Sequence, residues 1–237
     1  KIGKSLDLSS IKIAEGLILP KSISSYLNLK SLTSAKGLVL PEIIGTLDLR
    51  SLESAEGLKL PERIGGYLYF DSLTSSEGLK LPKHVEGYLD LSRLTSAKGL
   101  ILPESIGDGL YLNSLISIEG LVLPKKIGKS LYLASLTSAE GLVLPKSVGG
   151  YLALTNLTSA EGLVLPEYIG GDLYLNGLTS AKDLVLPQNV GGSWVYLYNL
   201  STVEGLIIPD PLNYTIEMNG FLITPENVDE YRKNKSK

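Results

Sequence analysis

The sequence predicts an all-β protein, a parallel β-solenoid of about ten coils with 21 residues in each coil. Three observations support this prediction. Prolines recur every 21 residues, with one interval of 20 and one of 22, at positions 20, 41, 61, 82, 103, 124, 145, 166, 187 and 209. Leucines alternate with other residues between the prolines, and glycines recur a few residues after most of the prolines. Such a period is typical of stacked repeats in which each unit covers the apolar side of its neighbour.

The repeating unit reads xLxLxxLTSAxGLxLPxxIGG, and its positions are numbered 1 to 21, with Tyr26 and Tyr151 at position 1. Leucines at positions 2 and 4 alternate with variable residues, which is the period of a strand with one buried side. We therefore expect a first strand over positions 1 to 5. If these strands stack in parallel, each inward leucine lies against the leucine of the next coil.

A second strand is expected over positions 12 to 15, where Gly-Leu-x-Leu alternates in the same way. The proline at position 16 would end this strand because it has no N–H group, and the glycines at positions 20 and 21 permit a tight corner. An array of antiparallel hairpins is the alternative arrangement. The connectors lack the Asn-Gly or Asp-Gly turns that tight hairpins favour, so we expect parallel coils with two short strands each.

The repeat ends near residue 209, which predicts a solenoid over residues 1–209 and a C-terminal cap and tail over 210–237, in one structural domain. Asn219 and Gly220 lie between two strand-like runs and predict a hairpin. The Thr-Pro-Glu segment at 224–226 predicts the start of a short helix. We expect this hairpin and helix to cover the open edge of the last coil.

Composition excludes several classes of function. The net charge is −3 and the pI is near 5.4, so we expect no nucleic-acid partner, since binding a phosphate backbone requires a basic surface. The chain has no cysteine, which excludes disulfides and thiolate metal sites. No apolar run approaches the roughly 18 residues of a membrane span. We therefore expect no membrane insertion, no metal and no cofactor.

Aromatic residues concentrate on one predicted surface. Positions 1 and 3, with position 5 of the last coil, hold ten of the thirteen tyrosines and the only tryptophan. These side chains predict a binding surface because Tyr and Trp give large contact areas at low entropic cost. Cross-strand pairs that only stabilise the sheet are the alternative explanation. The candidate binding residues lie in the C-terminal coils, where Trp194 follows a one-residue insertion, and are Tyr132, Tyr151, Tyr174, Trp194, Tyr196 and Tyr198.

Position 14 is a second candidate surface. It points outward from the predicted second strand and carries Val or Ile in each of the last six coils. A contiguous apolar strip on the surface often marks a contact with another protein. We therefore predict a contact row for a partner or for self-association, formed by Val122, Val143, Val164 and Val185.

Charged residues on the aromatic surface leave an enzyme as an alternative. Polysaccharide-active parallel β-helix enzymes use basic and carboxylate groups on such a face, and the candidates here are Lys30, Asp48, Arg50, Asp71 and Asp90. A surface ion pair between Arg50 and Asp71 is the simpler interpretation. The only histidine, His84, follows Pro82 in a corner and has no nucleophile or second metal ligand at a repeat-defined position. We therefore assign no catalytic residue.

The stretch LPESIGDGLYLNSLISIEGLVLPKKIG resembles the leucine-rich-repeat-like arrays of bacterial proteins, and the resemblance covers residues 1–209. It departs from the standard leucine-rich repeat at position 7, where leucine replaces asparagine, and in having a second strand instead of a helix. The resemblance implies a solenoid used for recognition, often at bacterial surfaces. We therefore predict a non-catalytic scaffold that recognises a protein or a glycan through its aromatic face. The enzyme described above and a purely structural spacer are the alternatives.

Overall fold

A computed structural model describes residues 4–235 of the chain. These residues form eighteen short strands and one helix, and they confirm the parallel β-solenoid. The chain divides into two compact units, Lys1–Gly128 (unit 1) and Lys129–Lys237 (unit 2). Within the described residues, no helix combines the length and hydropathy needed to cross a bilayer.

Unit 1 contains two sets of parallel strands. In chain order its strands are β1 (Leu6–Asp7), β2 (Ser22–Asn28), β3 (Ile43–Asp48), β4 (Arg63–Ile64), β5 (Leu68–Tyr69), β6 (His84–Val85), β7 (Leu89–Asp90), β8 (Ser105–Ile106) and β9 (Leu110–Tyr111). The first ladder joins β1, β2, β3, β5, β7 and β9, and the second joins β2, β3, β4, β6 and β8, because β2 and β3 are long enough to contribute to both. Leu68 pairs with Leu47 on one side and with Leu89 on the other, so equivalent positions of successive coils are in register.

Unit 2 repeats this arrangement and adds the cap. Its elements are β10 (Leu131–Tyr132), β11 (Ser147–Val148), β12 (Leu152–Ala153), β13 (Tyr168–Ile169), β14 (Leu173–Tyr174), β15 (Asn189–Val190), β16 (Trp194–Tyr196), β17 (Thr215–Met218), β18 (Phe221–Ile223) and α1 (Val228–Lys235). The first ladder joins β10, β12, β14, β16 and β17 in parallel, and the second joins β11, β13 and β15. The cap strand β17 therefore continues the ladder of the coils.

The prediction of a second strand over positions 12 to 15 is wrong, because the second strand lies at positions 18 and 19. The position-13 amide is already used in a turn: Leu163 N, for example, donates to Ala160 O over 3.0 Å. Proline at position 16 has no amide to donate. Of positions 13 to 16, only the amides of positions 14 and 15 remain, and in the described residues a bridge at these positions joins only Val185 to Ile207.

Two turns explain residues that recur between the strands. The serine at position 9 accepts a hydrogen bond from the amide two residues later, as Ser159 Oγ does from Glu161 N over 3.1 Å. The glycine at position 12 has a positive φ, 73° at Gly162, in the turn that closes on position 13. Together these turns redirect the chain after the buried position 10, since glycine adopts this conformation without a steric penalty.

The core consists of leucines stacked between the strands. Positions 2, 4 and 7 are fully buried in nearly every coil, and Leu133 at position 4 has no exposed surface. Tyr132, beside it, is partly exposed, which confirms the inward and outward assignment of the first strand. Glycine at position 20 lets neighbouring backbones approach closely. A Cβ atom on Gly170 would lie only 2.2 Å from Gly149 O.

The C-terminal hairpin is confirmed. β17 and β18 are antiparallel, and Asn219 and Gly220 connect them with φ values of 49° and 80°. The regular helix spans Val228–Lys235. The predicted first turn leads into it, because Thr224 O accepts the Val228 amide over 3.0 Å and Asn227 Oδ1 accepts the Thr224 amide over 2.8 Å, as at a helix N-terminus.

Candidate functional site

The candidate binding residues occupy the outward side of the first ladder in unit 2. The register places Tyr132 opposite Ala153, Ala153 opposite Tyr174, and Tyr174 opposite Tyr196. Ala153 is buried although it points outward. The column therefore has a small residue between Tyr132 and the tyrosines of the later coils.

Five of the six candidates form a continuous group, here called the C-terminal aromatic cluster: Tyr151, Tyr174, Trp194, Tyr196 and Tyr198. The ring centroids of Tyr174 and Tyr196 are 4.9 Å apart with planes 15° from parallel, a stacked pair. The Trp194 ring lies 6.0 Å from that of Tyr196 and is almost parallel to it. Tyr151 contacts Tyr174 edge to face, and Tyr198 is tilted against Tyr196 at 5.5 Å. The structure thus brings together rings that are up to 47 residues apart in sequence.

Two carboxylates accompany this cluster. Asp172 Oδ1 accepts the Trp194 amide over 3.2 Å, and Glu217 Oε2 accepts the Tyr198 hydroxyl over 3.1 Å. Burial, reinforced by the charge of Asp172, raises the pKa of Tyr174 to about 12. Burial and the hydrogen bond to Glu217 also raise the pKa of Tyr198. Tyr174 and Tyr198 therefore keep their hydroxyl protons at neutral pH beside the carboxylates of Asp172 and Glu217.

The one-residue insertion before Trp194 joins the cap to the coils. Ser193 has a φ of 75°, and its carbonyl oxygen accepts the Thr215 amide over 2.8 Å. One residue later Trp194 opposes Thr215, and Val195 is again in register with Leu173. The extra residue is accommodated at the corner, so the strand register is preserved.

Unit 1 has a second aromatic group that was not among the candidates, the N-terminal aromatic cluster of Tyr67, Tyr69, Tyr88 and Tyr111. Tyr67 and Tyr88 stack at 4.3 Å, while Tyr69 and Tyr111 each meet Tyr88 edge to face. The signal for this cluster was present in the sequence, since all four occupy positions 1 or 3. The guanidinium carbon of Arg50 lies 4.4 Å from the centre of the Tyr69 ring.

The charged residues proposed for an enzyme are mostly engaged in structural contacts. Asp48 has 1% of its surface exposed and accepts the Tyr26 hydroxyl over 2.6 Å. Arg50 Nε lies 3.3 Å from Asp48 and 3.9 Å from Asp71. Burial and the charge of Asp90 raise the pKa of Asp71, and Arg50 opposes this rise. Because Asp48 is enclosed, its carboxylate has no free surface for a substrate.

The remaining polar candidates differ in their contacts. Asp90 Oδ1 accepts the Ser92 amide over 2.9 Å, whereas the Lys30 side chain is exposed and its backbone amide donates to Asn28 Oδ1 over 3.2 Å. His84 lies on strand β6 instead of in a corner, with Nδ1 2.9 Å from Ser105 Oγ. Within residues 4–235, no group of His, Asp and Glu has the geometry to hold a metal ion.

The position-14 row is exposed but does not form a sheet surface. Val122 in unit 1 is 77% exposed, and in unit 2 Val143, Val164 and Val185 are 80%, 75% and 53% exposed. Ladder packing cannot explain these β-branched residues because most of the row has no ladder. A contact with another molecule therefore stays the predicted reason for the recurrence of Val at these positions.

Unit 1 also contains a groove of about 810 Å³ between two successive coils. Here Ser76 replaces the usual alanine of position 10 and donates to Lys98 O over 2.9 Å. No atom lies within 4 Å of a Cβ placed on Gly99, whereas one on Gly78 would lie 3.4 Å from Glu56 Cα. The two coils are therefore separated at positions 12 to 15, where no ladder pairs them, although β6 and β8 pair a few residues later.

Neither the family models, the curated proteins nor the solved structures compared with this chain give a match.

Proposed function

We propose that this protein is a non-catalytic recognition scaffold that binds a protein or a glycan through the C-terminal aromatic cluster. The observation that carries the proposal is the contiguity of five aromatic rings on the outward side of one ladder, where Tyr151 and Tyr198 are 42% and 40% exposed. Large, partly exposed aromatic residues that are held in fixed positions are the usual centres of binding surfaces.

The burial of Asp48 argues against the alternative of a polysaccharide-active enzyme. General acid and base catalysis requires carboxyl groups that can reach the substrate. Asp48 is enclosed by Tyr26 and Arg50, Arg50 also lies beside Asp71, and Asp90 accepts the Ser92 amide, so each of the three carboxylates has a partner within the fold. We further propose that the array is related to bacterial leucine-rich-repeat-like proteins, on the basis of its recurring LP and GG-x-L-x-L motifs.

A binding screen tests the proposed function. The protein should be applied to a glycan array and to a protein array, and each ligand retained should be measured again with Trp194→Ala and Tyr196→Ala. We expect each substitution to weaken binding by at least about 30-fold, the effect of an interface hot spot of about 2 kcal/mol. Tyr168→Ala is the matched control, since Tyr168 is an exposed tyrosine of unit 2 outside the cluster.

Three outcomes would contradict the proposal. Unchanged affinity of a folded Trp194→Ala protein would move the binding surface to the position-14 row. Turnover of an acidic polysaccharide would support the enzyme. Absence of any ligand on both arrays would leave the spacer as the better explanation.

A further inference from the structure

The outward face of the first ladder in unit 2 has an uneven charge distribution. Positions 1, 3 and 5 of its four coils, with the outward residues of β17, carry six aromatic side chains and the carboxylates of Asp172 and Glu217. Among these described residues there is no Lys or Arg. Burial and then the charge of Asp172 raise the pKa values of Tyr174 and Tyr196, and Glu217 adds to the rise at Tyr196, which is consistent with a negative potential over these rings.

The equivalent surface of unit 1 contains its own cation. Arg50 lies over the Tyr69 ring at 4.4 Å and is within 4 Å of both Asp48 and Asp71. Aromatic rings and carboxylates attract a guanidinium or ammonium group through the ring quadrupole and through charge. Unit 1 thus shows that a surface of aromatic rings and carboxylates in this chain accommodates a guanidinium group.

Among the described residues of this face, the surroundings of Glu217 provide the same components, aromatic rings and a carboxylate, without a Lys or Arg. Tyr196 lies opposite Glu217 in the ladder, and Tyr198 donates its hydroxyl to the Glu217 carboxylate. The ring planes of Tyr196 and Tyr198 are inclined at 51° to each other. One face of Tyr196 is occupied by Tyr174, which reduces the flat ring surface available to a neutral sugar.

We propose that the C-terminal aromatic cluster binds a basic segment of a partner protein, with a Lys or Arg side chain between the Glu217 carboxylate and the rings of Tyr196 and Tyr198. This inference rests on the proposed recognition function and names the chemistry of its ligand. A neutral glycan and an acidic segment are the competing ligands, and both differ from the proposed one in charge.

A ligand titration followed by tryptophan fluorescence gives a direct test, because Trp194 stacks on Tyr196 and is the only tryptophan of the sequence. The probes are a short peptide alternating arginine and serine, the same peptide with glutamate in place of arginine, and cellohexaose. We expect saturable binding of the basic peptide alone. Its affinity should fall when the salt concentration rises from about 50 mM to about 500 mM, since salt screens the charges.

Glu217→Gln separates the charge from the shape of the site, since glutamine keeps the size and an acceptor for Tyr198. We expect the affinity for the basic peptide to fall at least about tenfold, the difference between a charge-assisted and a neutral contact. Glu161→Gln, at an exposed position away from the face, should change nothing.

Two results would overturn the inference: no saturable binding of the basic peptide by fluorescence or calorimetry, or equal affinity of Glu217→Gln and the unsubstituted protein. If cellohexaose binds and Trp194→Ala abolishes that binding while Glu217→Gln does not, this inference fails and the recognition function stands. If neither substitution changes the affinity for any ligand that the protein retains, both this inference and the proposed recognition through the C-terminal aromatic cluster fail.

Discussion

Substitution of Gly170 by alanine tests the close stacking of the coils. Gly170 occupies position 20, and its φ lies outside the left-handed region, so alanine is allowed by the backbone of this residue itself. The added Cβ would lie 2.2 Å from Gly149 O, whereas real contacts of this kind are essentially never shorter than 3.0 Å. The neighbouring coil would therefore have to move away by at least about 0.8 Å.

The cost follows from the hydrogen bond beside this contact. Gly170 N donates to Val148 O over 2.8 Å, and a displacement of 0.8 Å would lengthen this distance to about 3.6 Å, beyond a hydrogen bond. Gly170 is half-buried, so the loss of its amide partner costs up to about 1–3 kcal/mol, and overpacking adds a comparable amount. We expect Gly170→Ala to lower the free energy of unfolding by about 2–5 kcal/mol.

Gly65 is the matched control because it occupies the same position of the repeat. A Cβ on Gly65 would lie 3.5 Å from Ile44 O, which is an ordinary contact. We expect Gly65→Ala to be neutral or to stabilise the protein by up to about 1 kcal/mol, since alanine reduces the entropy of the unfolded chain. Urea unfolding followed by circular dichroism and by Trp194 fluorescence measures both. Equal effects of the two substitutions would refute the assignment of Gly170 as a close backbone contact.

Three further predictions concern stability. Leu133→Ala should cost about 2–5 kcal/mol because Leu133 is fully buried, whereas Tyr132→Ala should cost less than about 1 kcal/mol; similar losses in urea unfolding would contradict the inward and outward assignment. The free energy of unfolding should decline between about pH 10, the pKa of a tyrosine in the unfolded chain, and about pH 12, the raised pKa of Tyr174. The reason is that Tyr174 loses its hydroxyl proton in the unfolded state at a lower pH than in the folded state. Tyr174→Phe should decline less steeply over that range in urea titrations, and an identical decline would argue against this assignment. Ser159→Ala should lower the free energy of unfolding by about 0.5–1.5 kcal/mol because the turn hydrogen bond is lost. Ser159→Thr should keep that hydrogen bond, since Thr202 makes the same bond in the last coil. If threonine does not preserve stability, the serine has a different role.

The sequence by itself determined the period of the coil, its parallel stacking and the residues that face the core. Leucines at positions 2, 4 and 7 repeat with the coil, and burial depends on that repeat because equivalent residues of successive coils share one environment. The hairpin at Asn219 and Gly220 was also determined locally, since few residue pairs adopt two successive positive φ values.

The sequence also indicated where the binding residues lie, but not how they contact one another. Alternation places Tyr174 and Tyr196 on the outward side of the ladder. Whether their rings stack, meet edge to face or remain apart depends on side-chain torsions that neighbouring coils decide together. The burial of Asp48 is of the same kind, because it depends on the Tyr26 hydroxyl and on Arg50 of its own coil.

Only the tertiary structure decided the position of the second strand. Positions 12 to 15 alternate like a strand, and Leu163 is buried while Val164 is exposed. A ladder, however, also requires free amides and neighbouring backbones within hydrogen-bonding distance. The turn at position 13 and the proline at position 16 remove two amides, while the glycine at position 20 brings the coils together a few residues later. The alternation of leucine with other residues indicates which side of an extended segment is buried. The distance between successive coils determines which extended segments form a ladder.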